Sequence, residues 1–483
     1  MHRSAALCFA LLSACSFPGP PTLLPPPFGP DPAHPEAARF FFPSGIAIDP
    51  ASQWVVVANA NADRQFDAGA MYSLRASVLQ GFFTTGPGTI AFDFDPSLLA
   101  GKAMMGNFAG PLVLAGAGDA TSPNPLTAYT ASRDTNRLNA IALDPTTGAL
   151  SCRTATGVDA ANEDCRAGII DLGRTADVEG PFAIIAASIQ PPGLSSAGVD
   201  AILVTSLVPK IEDVQSGVLL TSAHLAALPQ SNPSQLLYSA TVTDRLVGGG
   251  VGSGSMVFDD RNREAILGGC YVRFGSASAG GEQSTLKCGT LGNTSSLRFV
   301  PVDAGDTAAS RIYDLSAQLH AQDMPGLALG DVDPVTRLRM LYAALRGPDG
   351  IARIGLSSDP AFGPIVLSVL TTSSQPSQLL RIARPPGSSG NELVAATAIA
   401  TFETSTTAGK LLIFDSVANR IVAQVEGLGD TPYAIAQFPP ALNDQSAHLV
   451  VTMFGGCRIS LIDVPFANPG NASLRANVGS CPP

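Results

Sequence analysis

The chain has 483 residues and a formal net charge of −11, from 28 Lys+Arg against 39 Asp+Glu, and 45% of its residues are hydrophobic. That much apolar surface with so few charges excludes a disordered chain, and the acidic balance excludes a basic nucleic-acid binder. The 48 Gly and 39 Pro interrupt nearly every window long enough for a helix, which excludes a long helical architecture.

The chain begins with a polar His2-Arg3 pair and a compact apolar run from Ala5 to Leu12, the layout of an export signal. Leu12-Ser13-Ala14-Cys15 then resembles the lipobox of bacterial lipoproteins. The resemblance implies that residues 1–14 are a signal peptide and that Cys15 becomes the lipidated first residue. Ser16 stands where the inner-membrane retention signal of such proteins would be Asp, which implies the outer membrane. Acyl chains alone would hold the protein there, since each buried methylene contributes about 0.8 kcal/mol. No later segment competes as a membrane span: the uncharged stretch around Pro181 to Val199, for example, is broken by Pro191-Pro192-Gly193. Residues 15–38 read as a lipidated tether. Nine prolines between Pro18 and Pro35 favour an extended polyproline II stalk that could lift the body roughly 60–70 Å.

From residue 39 onward one pattern recurs: Pro or Gly, an apolar strand, often an Asp turn, a β-branched second strand, a polar turn and a third strand. The first copy runs Pro43 to Asp49, then Trp54 to Asn59, then Ala70 to Leu74. A later copy runs Pro325 to Asp331, Arg339 to Leu345 and Ile351 to Leu356; another runs Pro432 to Gln437, His448 to Met453 and Arg458 to Asp463. Equivalent starts fall at Pro43, Pro111, Pro181, Gly254, Pro325, Pro376 and Pro432, at intervals that suit four strands each plus loop insertions. The expected fold is therefore all-β: a single β-propeller of seven blades, each of four antiparallel strands, over residues 39–483. Gly254 and Pro111 are the weakest anchors, so the spacing also admits six or eight blades. Stacking sheets radially lets each bury both faces and leaves few open edges.

These copies resemble the YVTN-type propeller repeat. The matching stretches are Trp54 to Asn59, Ala128 to Asp144, Lys410 to Asp415 and Ile459 to Asp463, whereas the third and fourth units depart through Gly/Ser-rich insertions such as Gly248–Ser255 and Gly275–Gly281. Apart from Cys8 and Cys15, six cysteines remain: Cys152, Cys165, Cys270, Cys288, Cys457 and Cys481. They fall into three neighbouring pairs, so three local disulfides in an oxidising compartment are the simplest assignment, each stabilising by about 3 kcal/mol. A Cys457–Cys481 bridge would clamp the chain end, and the segment Arg39 to Phe42 could add an outer strand to the last blade.

Catalytic templates are scarce. His224, His320 and His448 read as strand or loop residues, and no nucleophile elbow, P-loop or zinc-protease motif occurs. Asp49, Asp259, Asp331 and Asp333 follow first strands; a ring of them could chelate a hard cation or supply an acid–base pair, while turn chemistry accounts for them more simply. Asn59-x-Asn61-x-Asp63 has the spacing of a calcium loop, but Arg64 and Ala70 stand where such a loop needs Gly and Glu, so it reads as an insertion between strands. Trp54, the single Trp, is expected in the core. No catalytic residue, cofactor or metal ligand is assigned. The leading expectation is a non-enzymatic binding or scaffold module, attached to the membrane through Cys15 and engaging a protein or other envelope ligand rather than nucleic acid. The alternative is a lactonase-like hydrolase in which Asp49, Asp331 and an Arg converge in the central channel, as the family resemblance allows. A third is an outer-membrane protein assembly subunit.

Overall fold

Trp54–Asn59 shows how the chain builds its core, because all six of its side chains are buried. Successive strand residues face opposite ways. Val55 and Val57 accordingly enter one apolar cluster, while Trp54, Val56 and Ala58 enter another. A strand buried on both faces must lie in a sheet stacked between two others, and this holds around the whole ring. The computed structural model describes residues 39–479 except 65, 85–90, 93–96, 119–121, 123, 156, 194–197, 208–209, 216–217, 243–249, 272–294, 308–309 and 401–407. The expected signal peptide, Cys15 and the expected tether lie outside the described residues.

Seven antiparallel sheets follow one another along the chain. Their innermost strands are Pro43–Ile48, Ala109–Ala115, Pro181–Ile189, Gly250–Asp259, Asp323–Val332, Ser374–Ile382 and Pro432–Gln437. Each touches the next, and the last touches the first, closing the ring. One apolar cluster fills each of the seven gaps between neighbouring sheets. The protein is a seven-bladed β-propeller. All seven expected starts lie within innermost strands, Gly254 and Pro111 included, so the six- and eight-bladed alternatives fall away.

The recurring proline has a structural cause. Pairing between the first and second strands shifts register at Pro43, and likewise across Pro111, Pro181, Pro325, Pro376 and Pro432. Proline lacks the N–H that the ladder needs, so it is tolerated on the channel edge of a sheet at a bulge. Blade 4 has the same irregularity around Ser253 without a proline. Just before the innermost strand, the residue adopts a left-handed backbone at Phe42, Phe108, Gly180 and Thr431. Its carbonyl accepts from the residue that leaves the second strand in blades 1, 3 and 7: Ala60, Leu207 and Phe454.

The ring seam differs from expectation. Arg39 to Phe42 does not form an outer strand; Phe40 and Phe41 instead pack into the apolar cluster between the first and last blades. The fifth strand of blade 7 is Ala91–Phe92, which pairs in parallel with Asn477 and Val478. It belongs in sequence to an insertion of blade 1, so the first blade stitches itself to the last. The helix Ala76–Thr84 of the same insertion packs on blade 7, with the Phe83 ring 6.0 Å from Phe438.

Cys152 and Cys165 form a disulfide, and Cys457 is disulfide-bonded. Cys288 and Cys481 lie outside the described residues, as does the side chain of Cys270. Outer edges are treated unequally. Blade 6 ends in Arg420–Asp430, which turns Arg420, Gln424 and Glu426 to solvent, whereas Ile365–Thr371 of blade 5 exposes Ile365, Leu367 and Val369. Charge blunts a sheet edge against further pairing, and blade 5 lacks that protection.

Candidate functional site

The channel wall carries almost no charge. The seven innermost strands contain three carboxylates, Asp259, Asp323 and Asp331, each at or beside a strand end. Between those ends the strands carry partly buried apolar residues such as Leu112, Leu114, Ile185, Leu380 and Ile435, which pack against the clusters between blades. Two glycines set how closely the strands approach: a Cβ on Gly45 would lie 2.8 Å from Leu112 Cβ, and one on Gly110 would lie 2.9 Å from the Phe182 ring.

The four aspartates singled out in the sequence do not converge. Asp49 is buried and accepts from the backbone N–H of Trp54 at 2.6 Å and of Ala51 at 3.2 Å. Asp333 accepts from Val335 and Thr336 N–H at 2.9 and 2.7 Å. Both perform turn chemistry. Asp331 pairs with Arg381, which also donates to Glu392 at 2.8 Å. Asp259 accepts from Arg339 at 2.7 Å and sits opposite Glu264, itself gripped by Arg311 at 2.6 and 2.7 Å. Burial pushes the Glu264 carboxyl up, against the opposing pull of Arg311. The adjoining cavity measures about 10 Å³, room for one water and no substrate. Asn59 and Asn61 are spent on local bonds, the first accepting from Phe41 N–H at 3.1 Å, the second donating to Phe66 and Asn107 at 2.8 and 2.7 Å. Among the described residues no cluster of His, Cys, Asp and Glu is arranged to hold a metal.

The histidines are structural in their contacts. His224 is buried with Nε2 3.0 Å from Ser222 Oγ, and His320 follows the short helix Ser316–Leu319. His448 stacks on Phe83 with centroids 4.1 Å apart, and Asp463 lies 3.6 Å away. Burial pulls the imidazole below its usual value of 6.5, outweighing Asp463 and Asp444. The unfolded chain therefore takes up the proton first as pH falls, so His448 costs stability progressively below about pH 6.5. In urea unfolding at about pH 7 and about pH 5, His448→Gln is expected to lose part of the acid-side drop shown by the unchanged protein. Trp54 is core as expected, its indole N–H donating to Pro145 O at 2.9 Å.

Chemistry gathers instead at one mouth of the channel, where chains leave second strands and enter first ones. Phe42 and Phe108 precede the innermost strands of blades 1 and 2, while Phe182 and Tyr433 are second residues in those of blades 3 and 7. Phe454 joins them from blade 7, 5.3 Å from the Phe42 ring and 6.0 Å from Tyr433. Arg133, just past the second strand of blade 2, lies over the rings of Phe108 and Phe182, at 5.9 and 5.2 Å. Its Nε donates to Phe108 O at 3.3 Å. Arg64 of blade 1 lies over the same Phe108 ring, at 5.1 Å. Burial pulls Arg133 down, with Tyr433 acting to raise it. Burial likewise pushes the Tyr433 hydroxyl up to about 12, opposed by the fields of Arg133 and Arg346. Arg133 of blade 2 and Arg346 of blade 5 thus both act on the Tyr433 phenol of blade 7. Beside it, Phe108, Arg133, Asp134, Asn136, Glu179 and Gly180 line an open hollow of about 460 Å³.

Sequence reading missed this site, because its members lie in different repeats and none forms a motif. The signal was positional: Arg133, Arg346 and Phe454 all stand at or just after the end of a second strand.

No protein family matches the sequence, and no curated protein matches it. Among solved structures, Sqt1 of Saccharomyces cerevisiae is similar at 10% identity and a TM-score of 0.48, over 88% of this chain and 97% of that chain. A protein from Lactobacillus plantarum is similar at 10% identity and a TM-score of 0.38, covering 78% of this chain and 82% of its own. Hydrazine synthase of Kuenenia stuttgartiensis is similar at 9% identity and a TM-score of 0.31, over 88% and 77% respectively.

Proposed function

We propose that this chain is an exported lipoprotein, anchored through acyl chains on Cys15, whose propeller of YVTN-type repeats serves as a binding module at the cell envelope. The observation that carries the reading is the contrast between the two parts of the channel. Its wall lacks the carboxylate pair a lactonase-like site requires, while its mouth presents aromatic rings and guanidinium groups. Asp49 and Asp331, which hydrolysis would bring together, are held by a turn and by Arg381 respectively. Rings and arginines supply binding energy without supplying a nucleophile or a base. The tether and Ser16 favour display from the outer membrane, with a protein or other envelope component as partner.

Two measurements test the reading. The full chain produced in a bacterium with an outer membrane is expected to incorporate labelled palmitate and to sediment with that membrane, and Cys15→Ser to do neither. Cross-linking of the anchored protein followed by mass spectrometry is expected to recover a defined partner; co-recovery of a β-barrel protein would favour the assembly-subunit role. Turnover of a lactone by the purified chain would overturn the non-enzymatic assignment.

A further inference from the structure

We infer that the channel mouth is a carboxylate-binding site, with Arg133 as its principal contact and a ligand that carries an apolar or aromatic body next to the carboxylate. The inference rests on the binding-module reading and names the ligand chemistry of that site.

Arg133 has five N–H donors, and among the described residues one is used, by Phe108 O. No described carboxylate pairs with it, although the chain carries 39 Asp+Glu against 28 Lys+Arg. Stacking on Phe108 and Phe182 fixes the guanidinium, and the Nε bond sets its rotation about the side-chain axis. The terminal nitrogens then form a pre-positioned fork that matches a carboxylate with two parallel bonds. A guanidinium covered on its face by rings is reached at its edge, which suits a planar ion better than a tetrahedral one.

The surroundings sharpen the choice. Tyr433, whose ring lies 6.0 Å from Phe454, stays protonated at any physiological pH and keeps its hydroxyl proton within the field of Arg133 and Arg346. Arg346 lies 3.9 Å from Asp323, a loose pairing, and its buried Nε has no hydrogen-bond partner. Arg64 is exposed and adds positive field over the Phe108 ring. Asp134 and Glu179 border the same hollow, Glu179 accepting from Asn136 at 2.6 Å. Two carboxylates at the rim repel a dianion about twice as strongly as a monoanion, which disfavours phosphate. Phe42, Phe108, Phe182 and Phe454, each partly exposed, provide the apolar walls for the ligand's body.

The carboxylate could come from a free small acid or from the C-terminus of a polypeptide, and titration calorimetry on the full chain in detergent separates the two. The probes are 3-phenylpropionate, a short peptide ending in Phe with a free carboxylate, and the same peptide amidated. The free-acid peptide is expected to bind at least about tenfold more tightly than the amide, and binding of either acid to fall about tenfold in Arg133→Gln. A peptide source is indicated if the peptide binds far more tightly than 3-phenylpropionate, and a small-acid source if the order is reversed. Arg133→Lys is expected to recover only part of the loss, because it restores charge without the fork. Tyr433→Phe keeps the ring and the fold and is expected to weaken binding about threefold, which tests the site even if Arg133→Gln does not fold. The inference is overturned if neither acid binds at millimolar concentration, if the amide binds as well as the acid, or if binding is unchanged in a folded Arg133→Gln. Partner recovery by cross-linking that persists in Arg133→Gln, together with unchanged binding of both acids, would sink this inference and leave the binding-module reading standing.

Discussion

Phe40→Ala is expected to lower the unfolding free energy by about 3–5 kcal/mol, a large share of what a domain possesses. The ring of Phe40 is wholly buried between the first and last blades, among Val55, Leu461 and Val478. It lies edge-on to Tyr72, with centroids 6.4 Å apart. On its other side the chain end closes in so tightly that a Cβ on Gly479 would sit 2.7 Å from the ring. Truncation would therefore leave a cavity that backbone on two blades cannot collapse to fill. The loss falls at the seam, where the last blade meets the first rather than a blade that follows it in sequence, so unfolding should also become less cooperative. Denaturant titration followed by fluorescence of Trp54, which lies on blade 1, reads both effects. Phe362→Ala, at a side chain 65% exposed, is the control and should change stability by no more than about 0.5 kcal/mol. Equal effects at the two positions would mean that the seam is held by the Ala91–Phe92 strand and the helix Ala76–Thr84 rather than by the entering chain.

The seam also shows where sequence reading stopped. Blade starts were legible because a proline at a channel-edge bulge is a local requirement, imposed on each repeat separately by a missing N–H. Turn aspartates such as Asp49 and Asp333 were legible for the same reason, each bonding backbone within a few residues. Ala91–Phe92 was not, since a two-residue strand has no period to detect and its partner, Asn477, is distant in sequence. Arg39 to Phe42 misled because three consecutive aromatics look like a strand, yet Phe42 takes a left-handed backbone and ends any extension there. The channel mouth was invisible for a third reason. Phe42 and Phe454 meet only because a closed ring returns its last blade to its first, and nothing local in either repeat encodes that meeting.

Gly326→Ala is expected to cost about 3 kcal/mol, although it adds a single methyl group to a residue with ordinary backbone angles. In a strand, Gly→Ala normally helps, because alanine loses less chain entropy on folding. Here the new Cβ would lie 2.0 Å from Ser377 O and 3.0 Å from Gln378 Cα, both in the innermost strand of blade 6. Backbone atoms cannot rotate aside as a flexible side chain would. The strand could move away only by loosening the cluster that joins blades 5 and 6, where Ala328, Leu379 and Val394 pack. Widening one gap also strains the rest, since the circumference is fixed by seven contacts in series. Gly387 is the matched comparison: it sits at φ 78° with open space around its Cβ, so alanine there meets only the left-handed backbone penalty of roughly 1 kcal/mol. A thermal midpoint that falls further for Gly326→Ala than for Gly387→Ala would show that close approach of neighbouring inner strands, rather than glycine's conformational freedom, sets the size of the ring. Equal midpoints would mean that the ring has enough play to absorb a methyl group at this close approach, and the spacing of its inner strands would then have to be regarded as adjustable.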